Sequence, residues 1–189
     1  MTTKIVLFAS GSGSNVENIV NYFSNKSNFE FPLILSNKSD AFVHERAKNL
    51  NIPSYTLSNE DFREGYKVVS LLKEHNIDFI VLAGFLLKIS SPILEAYPNK
   101  IINIHPALLP KFGGKGMYGD YVHKAVVEAG EEESGITIHY VNENYDEGNI
   151  IFQAKCEVLK NDTPENVASK VHQLEYLHYP KVIENLLSN

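Results

Sequence analysis

The segment Asn103-Ile104-His105-Pro106-Ala107-Leu108-Leu109-Pro110 sets an amide and an imidazole two residues apart at the end of an apolar run. If that run is a strand, its period of two places Asn103 and His105 on the same side. An amide donor beside an imidazole suits stabilisation of a developing oxyanion, and the ring is also available for proton transfer. Pro106 and Pro110 would stiffen the exit from the strand. A histidine packed at a strand end for structural reasons is the competing reading, and these residues alone leave the two open.

Two further segments bear on chemistry. Gly11-Ser12-Gly13-Ser14-Asn15 follows the first apolar run and opens a helical pattern. Glycines let a backbone approach a ligand, and the amides and dipole of a helix N-terminus favour an anion. The plainer alternative is a tight turn capped by Ser14 or Asn15. A dinucleotide fingerprint would need glycine where Val16 stands and an acid where the second strand ends at Asn37. Asp146 lies in the polar stretch Asn142-Glu143-Asn144-Tyr145-Asp146-Glu147-Gly148. That stretch reads most simply as a turn. As a partner of His105, its carboxylate is expected to raise the imidazole pKa above the usual value of about 6.5.

Other chemistries fit poorly. The histidines at 44, 75, 105, 123, 139, 172 and 178 form no HxxxH pair, and Cys156 has no second thiol, so no metal site is expected. Neither a P-loop nor a GxSxG nucleophile elbow is present. His139, on an expected strand, either supports a site or simply packs there.

The elements that must position these groups alternate. Apolar runs at Lys4–Ala9, Pro32–Ser36, Ser54–Leu57, Asp78–Ala83 and Ile101–Ile104 are separated by helical patterns. One helix runs through Val16, Ile19, Val20 and Phe23. A second, capped by Ser39 or Asp40, carries Phe42, Val43, Ala47 and Leu50, and a third carries Phe62, Tyr66, Val69 and Leu72. Pro92 opens a short one. This grammar predicts an α/β fold with a mostly parallel twisted sheet and helices on both faces. Beyond residue 120 a helix at Lys124–Ala129 leads into strands Ile136–Val141 and Ile150–Val158, close enough for an antiparallel C-terminal hairpin. A last helix starts at Thr163-Pro164 with Val167, Val171, Leu174 and Leu177 on one face, bent or restarted at Pro180.

The 189 residues, of which 43% are hydrophobic, predict one domain, 1–189, with a full core. The formal charge of −6 argues against nucleic acid or an anionic membrane as partner. It is unevenly spread: residues 1–120 carry 12 basic and 11 acidic side chains, residues 121–189 carry 5 and 12. Glu131, Glu132 and Glu133 read as a solvated turn. A lone cysteine and no long apolar run fit a soluble, cytoplasmic protein.

Together, Asn103–Pro110, Gly11–Asn15, Ser36-Asn37-Lys38 and Asp146-Glu147-Gly148 resemble the phosphoribosylglycinamide formyltransferases of purine (IMP) biosynthesis, from Lys4 to about Leu187. The resemblance implies a Rossmann-like formyltransferase fold and an enzyme with 10-formyltetrahydrofolate as co-substrate and no metal. Its implied reaction is direct formyl transfer to the amine of glycinamide ribonucleotide, with Asn103, His105 and Asp146 as catalytic residues. Gly13, Ser14, Asn15 and Glu175 match ribotide-binding positions. Arg63, Leu86, Leu87, Lys88, Ile89, Asn103, Asn142, Glu143, Asn144 and Tyr145 match folate-side positions. The glycine-rich segment Lys111–Tyr121 is longer than the common family pattern and is expected to act as a lid.

Related activities use the same kind of site. A formyltetrahydrofolate deformylase would pass the formyl group to water and normally carries an extra N-terminal regulatory domain. A methionyl-tRNA formyltransferase normally adds a C-terminal RNA-binding domain. Neither addition is expected here. A non-catalytic nucleotide-binding module, using only residues 11–15, is the remaining alternative. No oligomeric state follows from the residues.

Overall fold

A computed structural model describes residues 2–188, so the first and last residues of the expected 1–189 domain lie outside it. The described residues form two compact units that divide between Asn103 and Ile104.

In the first unit, β1 (Thr3–Phe8) is the central strand. Ile5 through Phe8 are fully buried, because a parallel strand loses both faces to packing. It pairs in parallel with β5 (Phe79–Leu82), β3 (Ile34–Ser36) and the two-residue β2 (Phe29–Glu30). β3 pairs with β4 (Ser54–Thr56), and β5 with β6 (Ile101–His105), giving the order β4-β3-β1-β5-β6. The chain steps outward from β1 through β3 to β4 before returning to β5. That reversal makes the carboxyl end of β1 the switch point where such sheets bind ligands.

The helices of this unit correct the sequence reading in two places. The single helix through Phe62 and Leu72 is two, α3 (Asn59–Glu64) and α4 (Tyr66–Glu74), broken at Gly65. Gly65 has φ 79°, and a Cβ there would lie 2.5 Å from Ser90 Oγ, so backbone and packing together force the break. α3 starts with a capping box between Ser58 and Asp61. α2 (Val43–Asn49) has no cap from Ser39 or Asp40. The Val43 N–H instead donates to the Gly11 carbonyl at 3.1 Å.

The second unit begins with Ile104 and His105, the last residues of β6. It contains α6 (Asp120–Glu128), β7 (Glu133–Tyr140), β8 (Ile150–Glu157) and α7 (Pro164–Leu187). β7 and β8 form the expected antiparallel pair. Glu133 belongs to β7 and pairs with Lys155, and Glu131 pairs with Lys111, so the acidic turn is partly neutralised.

α7 is continuous through Pro180 rather than restarting there. Proline inside a helix costs about 3 kcal/mol, and the buried Tyr179, Val182 and Ile183 on either side offset that loss. The buried stripe of α7 advances by fours through Val167, Val171, Glu175, Tyr179 and Ile183. Leu177 is therefore exposed, and an acid, Glu175, takes a core-facing position. Among the described residues no helix is long and apolar enough to cross a membrane.

Candidate active site

In the second unit, three side chains from three segments converge. β6 supplies His105, which is 3% exposed. The loop after it is fixed by buried Thr137 of β7, whose Oγ1 accepts from the Leu109 N–H at 3.0 Å and donates to the Ala107 carbonyl at 2.7 Å. The loop 141–149 supplies Asp146, held at φ 56°. β7 supplies His139, which is also buried. The ladder slips beside it: Ile138 faces Phe152 while His139 faces Ile150, leaving Ile151 as the extra residue of a bulge. Bulges are over-represented next to active sites.

Asp146 stands between the two imidazoles. Its Oδ2 is 3.5 Å from His105 Nδ1, and its Oδ1 is 3.6 Å from His139 Nε2. These separations are longer than ordinary hydrogen bonds. The Gly114 N–H donates to Asp146 Oδ2 at 2.9 Å. His139 donates through Nδ1 to the Tyr140 carbonyl at 2.8 Å, and His105 through Nε2 to the Phe112 carbonyl at 2.7 Å. Each ring thus has an acceptor on both sides.

The expected rise in the His105 pKa is not what the structure gives. Burial disfavours the charged ring and is the largest influence; Asp146 and the Phe112 carbonyl push upward but do not overcome it. His105 therefore titrates below its ordinary value. For Asp146 burial acts upward, but His139, His105 and the Gly114 amide together hold it below the usual carboxylate range.

The glycine-rich segment supplies two of these contacts, from Phe112 and Gly114. Phe112 adopts φ 56°, a left-handed conformation that costs a non-glycine residue about 1–2 kcal/mol. At Gly113 a Cβ would lie 2.5 Å from Leu109 Cδ2 and 3.3 Å from Asp146 Cβ, so glycine lets the segment approach the carboxylate this closely. Sequence reasoning singles out neither Phe112 nor Gly114, because contacts made by the main chain leave no side-chain pattern.

Asn142, Glu143, Asn144 and Tyr145 share the loop of Asp146, where the Asn144 N–H donates to Asn142 Oδ1 at 2.9 Å. Glu175 sits 7% exposed in the α7 stripe. A cleft beside α7 is lined by Asp120, Glu165, Ser169, His172 and Tyr176 among others, and by none of His105, Asp146 and Glu175.

In the first unit, α1 (Ser14–Phe23) starts directly after Gly13, which is the N-cap at φ 74° with no side-chain cap. Ser14 and Asn15 are helical residues, not caps. Leu86–Ile89 lie between β5 and α5 (Ser91–Ala96), and the segment is tied to the end of β1 through Ser10. The Ser10 N–H donates to the Gly84 carbonyl, and the Leu86 N–H to Ser10 Oγ, both at 3.0 Å. Ile89 is buried, Leu86 and Lys88 are exposed, and Leu87 is half-buried. Arg63 is exposed on α3, paired with Glu60. Asn103 precedes His105 by two residues on β6.

His123 of α6 is a further buried histidine, 2% exposed, with Nδ1 unpartnered among the described residues. Burial and then His172 lower its pKa, with a lesser push from His105 and a counter-pull from Asp120. A histidine lowered on folding binds fewer protons folded than unfolded, so acid weakens the fold from about pH 6.5 downward. Thermal melts are expected to show Tm falling as pH drops from about 7 to 5. His123→Leu should flatten that slope; an unchanged slope would assign it to other groups.

A strand-borne Asn-x-His with a carboxylate set against its histidine is suited to acyl transfer through a stabilised oxyanion. The profile of the family described as formyl transferase matches residues 3–183, and the chain belongs to that family. Within it, the chain is similar to phosphoribosylglycinamide formyltransferases. It is 38% identical to that of Bacillus subtilis over 97% of this chain and 94% of that protein. It is 42% identical to the chloroplastic one of Arabidopsis thaliana over 95% of this chain and 64% of that protein, so it spans less than two thirds of the Arabidopsis length. The crystal structure of the Bacillus halodurans phosphoribosylglycinamide formyltransferase superposes with a TM-score of 0.90 at 36% identity, covering 99% of this chain and 96% of that one.

Proposed function

We propose that the protein transfers the formyl group of 10-formyltetrahydrofolate to the amine of 5-phosphoribosylglycinamide, in de novo purine biosynthesis. The observation that carries this reading is Asp146 set against His105 on the Asn-x-His strand, in a chain whose similar proteins bear that name. The neutral amine attacks the formyl carbon, and the carbonyl electrons move to oxygen. The tetrahedral intermediate then expels N10 of the folate, which leaves with the proton that the amine gives up. Asn103 and His105 donate to the oxyanion. Its negative charge favours protonation of a ring that burial disfavours at rest, and Asp146 supports the imidazolium as it forms. For His105 Nε2 to reach that oxygen, the Phe112 carbonyl must give way, a lid role for residues 111–121.

Gly13, Ser14 and Asn15 take the ribotide phosphate and Glu175 the ribose hydroxyls. Arg63, Leu86–Ile89, Asn103 and Asn142–Tyr145 serve the folate. Residues 1–189 act as one formyltransferase domain without a metal, and the protein works in the cytoplasm. Mixed with glycinamide ribonucleotide and a 10-formyl folate, the protein is expected to change folate absorbance only when the ribotide is present. A change without the ribotide would mean hydrolysis of the donor and would replace this reading.

A further inference from the structure

The turn after β1 is braced from behind by α2, and the brace acts on two consecutive peptides. The Val43 N–H donates to the Gly11 carbonyl at 3.1 Å. One helical turn on, Arg46 Nε donates to the Ser12 carbonyl at 2.9 Å. In a planar trans peptide the carbonyl and the following N–H point in opposite directions. Pinning the Gly11 and Ser12 carbonyls toward α2 therefore turns the Ser12 and Gly13 N–H groups away from it.

Gly13 shows how closely α2 backs the turn. A Cβ there would lie 2.5 Å from Val43 Cγ2 and 2.9 Å from Val43 Cα. An anion thus has no room on the α2 side and must approach from the side the amides face. The Gly13 carbonyl already accepts from the Glu17 N–H at 3.0 Å, so the oriented peptides run directly into α1.

Arg46 has the chemistry for this task. Its guanidinium reaches the Ser12 carbonyl with one nitrogen and the Glu17 carboxylate of α1 with another, and it lies 5.3 Å from the Phe42 ring centroid. The ion pair with Glu17 offsets its charge, so attraction for a distant anion is a small part of what it does. A planar fork holds two acceptors in fixed directions, which an ammonium cannot reproduce.

We infer that Arg46 is a positioning residue for phosphate capture, setting through Nε the Ser12–Gly13 peptide that the turn presents to the ribotide. This deepens, and rests on, the proposed role of Gly13, Ser14 and Asn15.

The test compares Arg46→Gln, Arg46→Lys and Gly13→Ala by steady-state kinetics in both substrates. Inorganic phosphate serves as a competitor of the ribotide, and Tm is measured for each variant. Loss of one orienting hydrogen bond should raise the ribotide KM of Arg46→Gln about five- to tenfold. Its kcat and folate KM should stay within about twofold. Inhibition by phosphate should weaken in parallel. Arg46→Lys should show a smaller rise with the same selectivity, and it decides the matter if Arg46→Gln does not fold.

An unchanged ribotide KM in the Arg46 variants overturns the inference. So does a rise shared equally by both substrates, or full recovery by lysine, since these mark a general structural role or a simple charge. Gly13→Ala separates the two layers. If it raises the ribotide KM while the Arg46 variants do not, only the role of Arg46 falls. If it leaves that KM untouched, the turn is not the phosphate site and both fall.

Discussion

Replacing His105 with asparagine is expected to lower kcat by about three orders of magnitude while the fold persists, because the donor that becomes charged as the oxyanion forms is lost. Asparagine is smaller and uncharged, and the backbone pairing of β6 does not depend on the ring, so circular dichroism should change little. Asp146→Asn should cost about 10²–10³ in kcat by a different route. The amide preserves the shape of the carboxylate but not the charge shared between His105 and His139.

The two variants separate in their titration. Burial is the largest influence on the His105 pKa, and Asp146 is the main one opposing it. Without the carboxylate, burial meets less opposition, so the His105 ring followed by NMR should titrate at lower pH in Asp146→Asn than in the parent. The oxyanion would then form beside a ring that resists protonation. Near-normal turnover in either variant, or an upward shift of His105 in Asp146→Asn, would remove these roles.

The second large effect comes from Gly148, which has no expected contact with substrate. A Cβ on Gly148 would run into the Tyr140 carbonyl oxygen and lie 2.7 Å from its carbon. That carbonyl accepts from His139 Nδ1, and the Tyr140 N–H donates to the Asn149 carbonyl at 2.9 Å. Gly148→Ala must therefore push the 141–149 loop off the end of β7. The collision is with backbone, which cannot swing aside as a side chain does. A stability loss of about 3 kcal/mol is expected.

The functional loss should exceed what unfolding explains, because Asp146 rides on the displaced loop. At a temperature where Gly148→Ala is still folded, kcat should fall more than about tenfold, in line with the sensitivity of such sites to displacements near 1 Å. Measuring kcat beside the folded fraction checks this. Turnover proportional to folded protein alone would mean that the loop does not set the carboxylate.

Much of the fold is legible in the residues. A continuous apolar run such as Ile5–Phe8 announces a strand buried on both faces, since a half-exposed strand would alternate. The polar stretch Asn142–Asn149 between two strand patterns limits the connection to a hairpin. Breaks and stripes are less legible. Gly65 inside a helical pattern is ambiguous until Ser90 is found against it. Leu177 has the hydrophobicity for a core position, but the rotation of α7 gives the buried stripe to Glu175 and its neighbours four residues away.

The alternation of buried strands and helices and the identity of the candidate reacting groups follow from the residues alone, because buried strands, glycine turns and strand-end chemistry are written in local composition. How those groups are tuned follows from the folded arrangement. Burial depends on everything packed around a side chain, and it turns the His105 pKa down where Asp146 alone would turn it up. A one-residue slip of the β7–β8 ladder falls beside His139, which meets the same carboxylate. The carbonyls of Phe112 and Tyr140 and the amide of Gly114 complete the site through atoms of the main chain. Such contacts are set by chain path, so no residue type announces them.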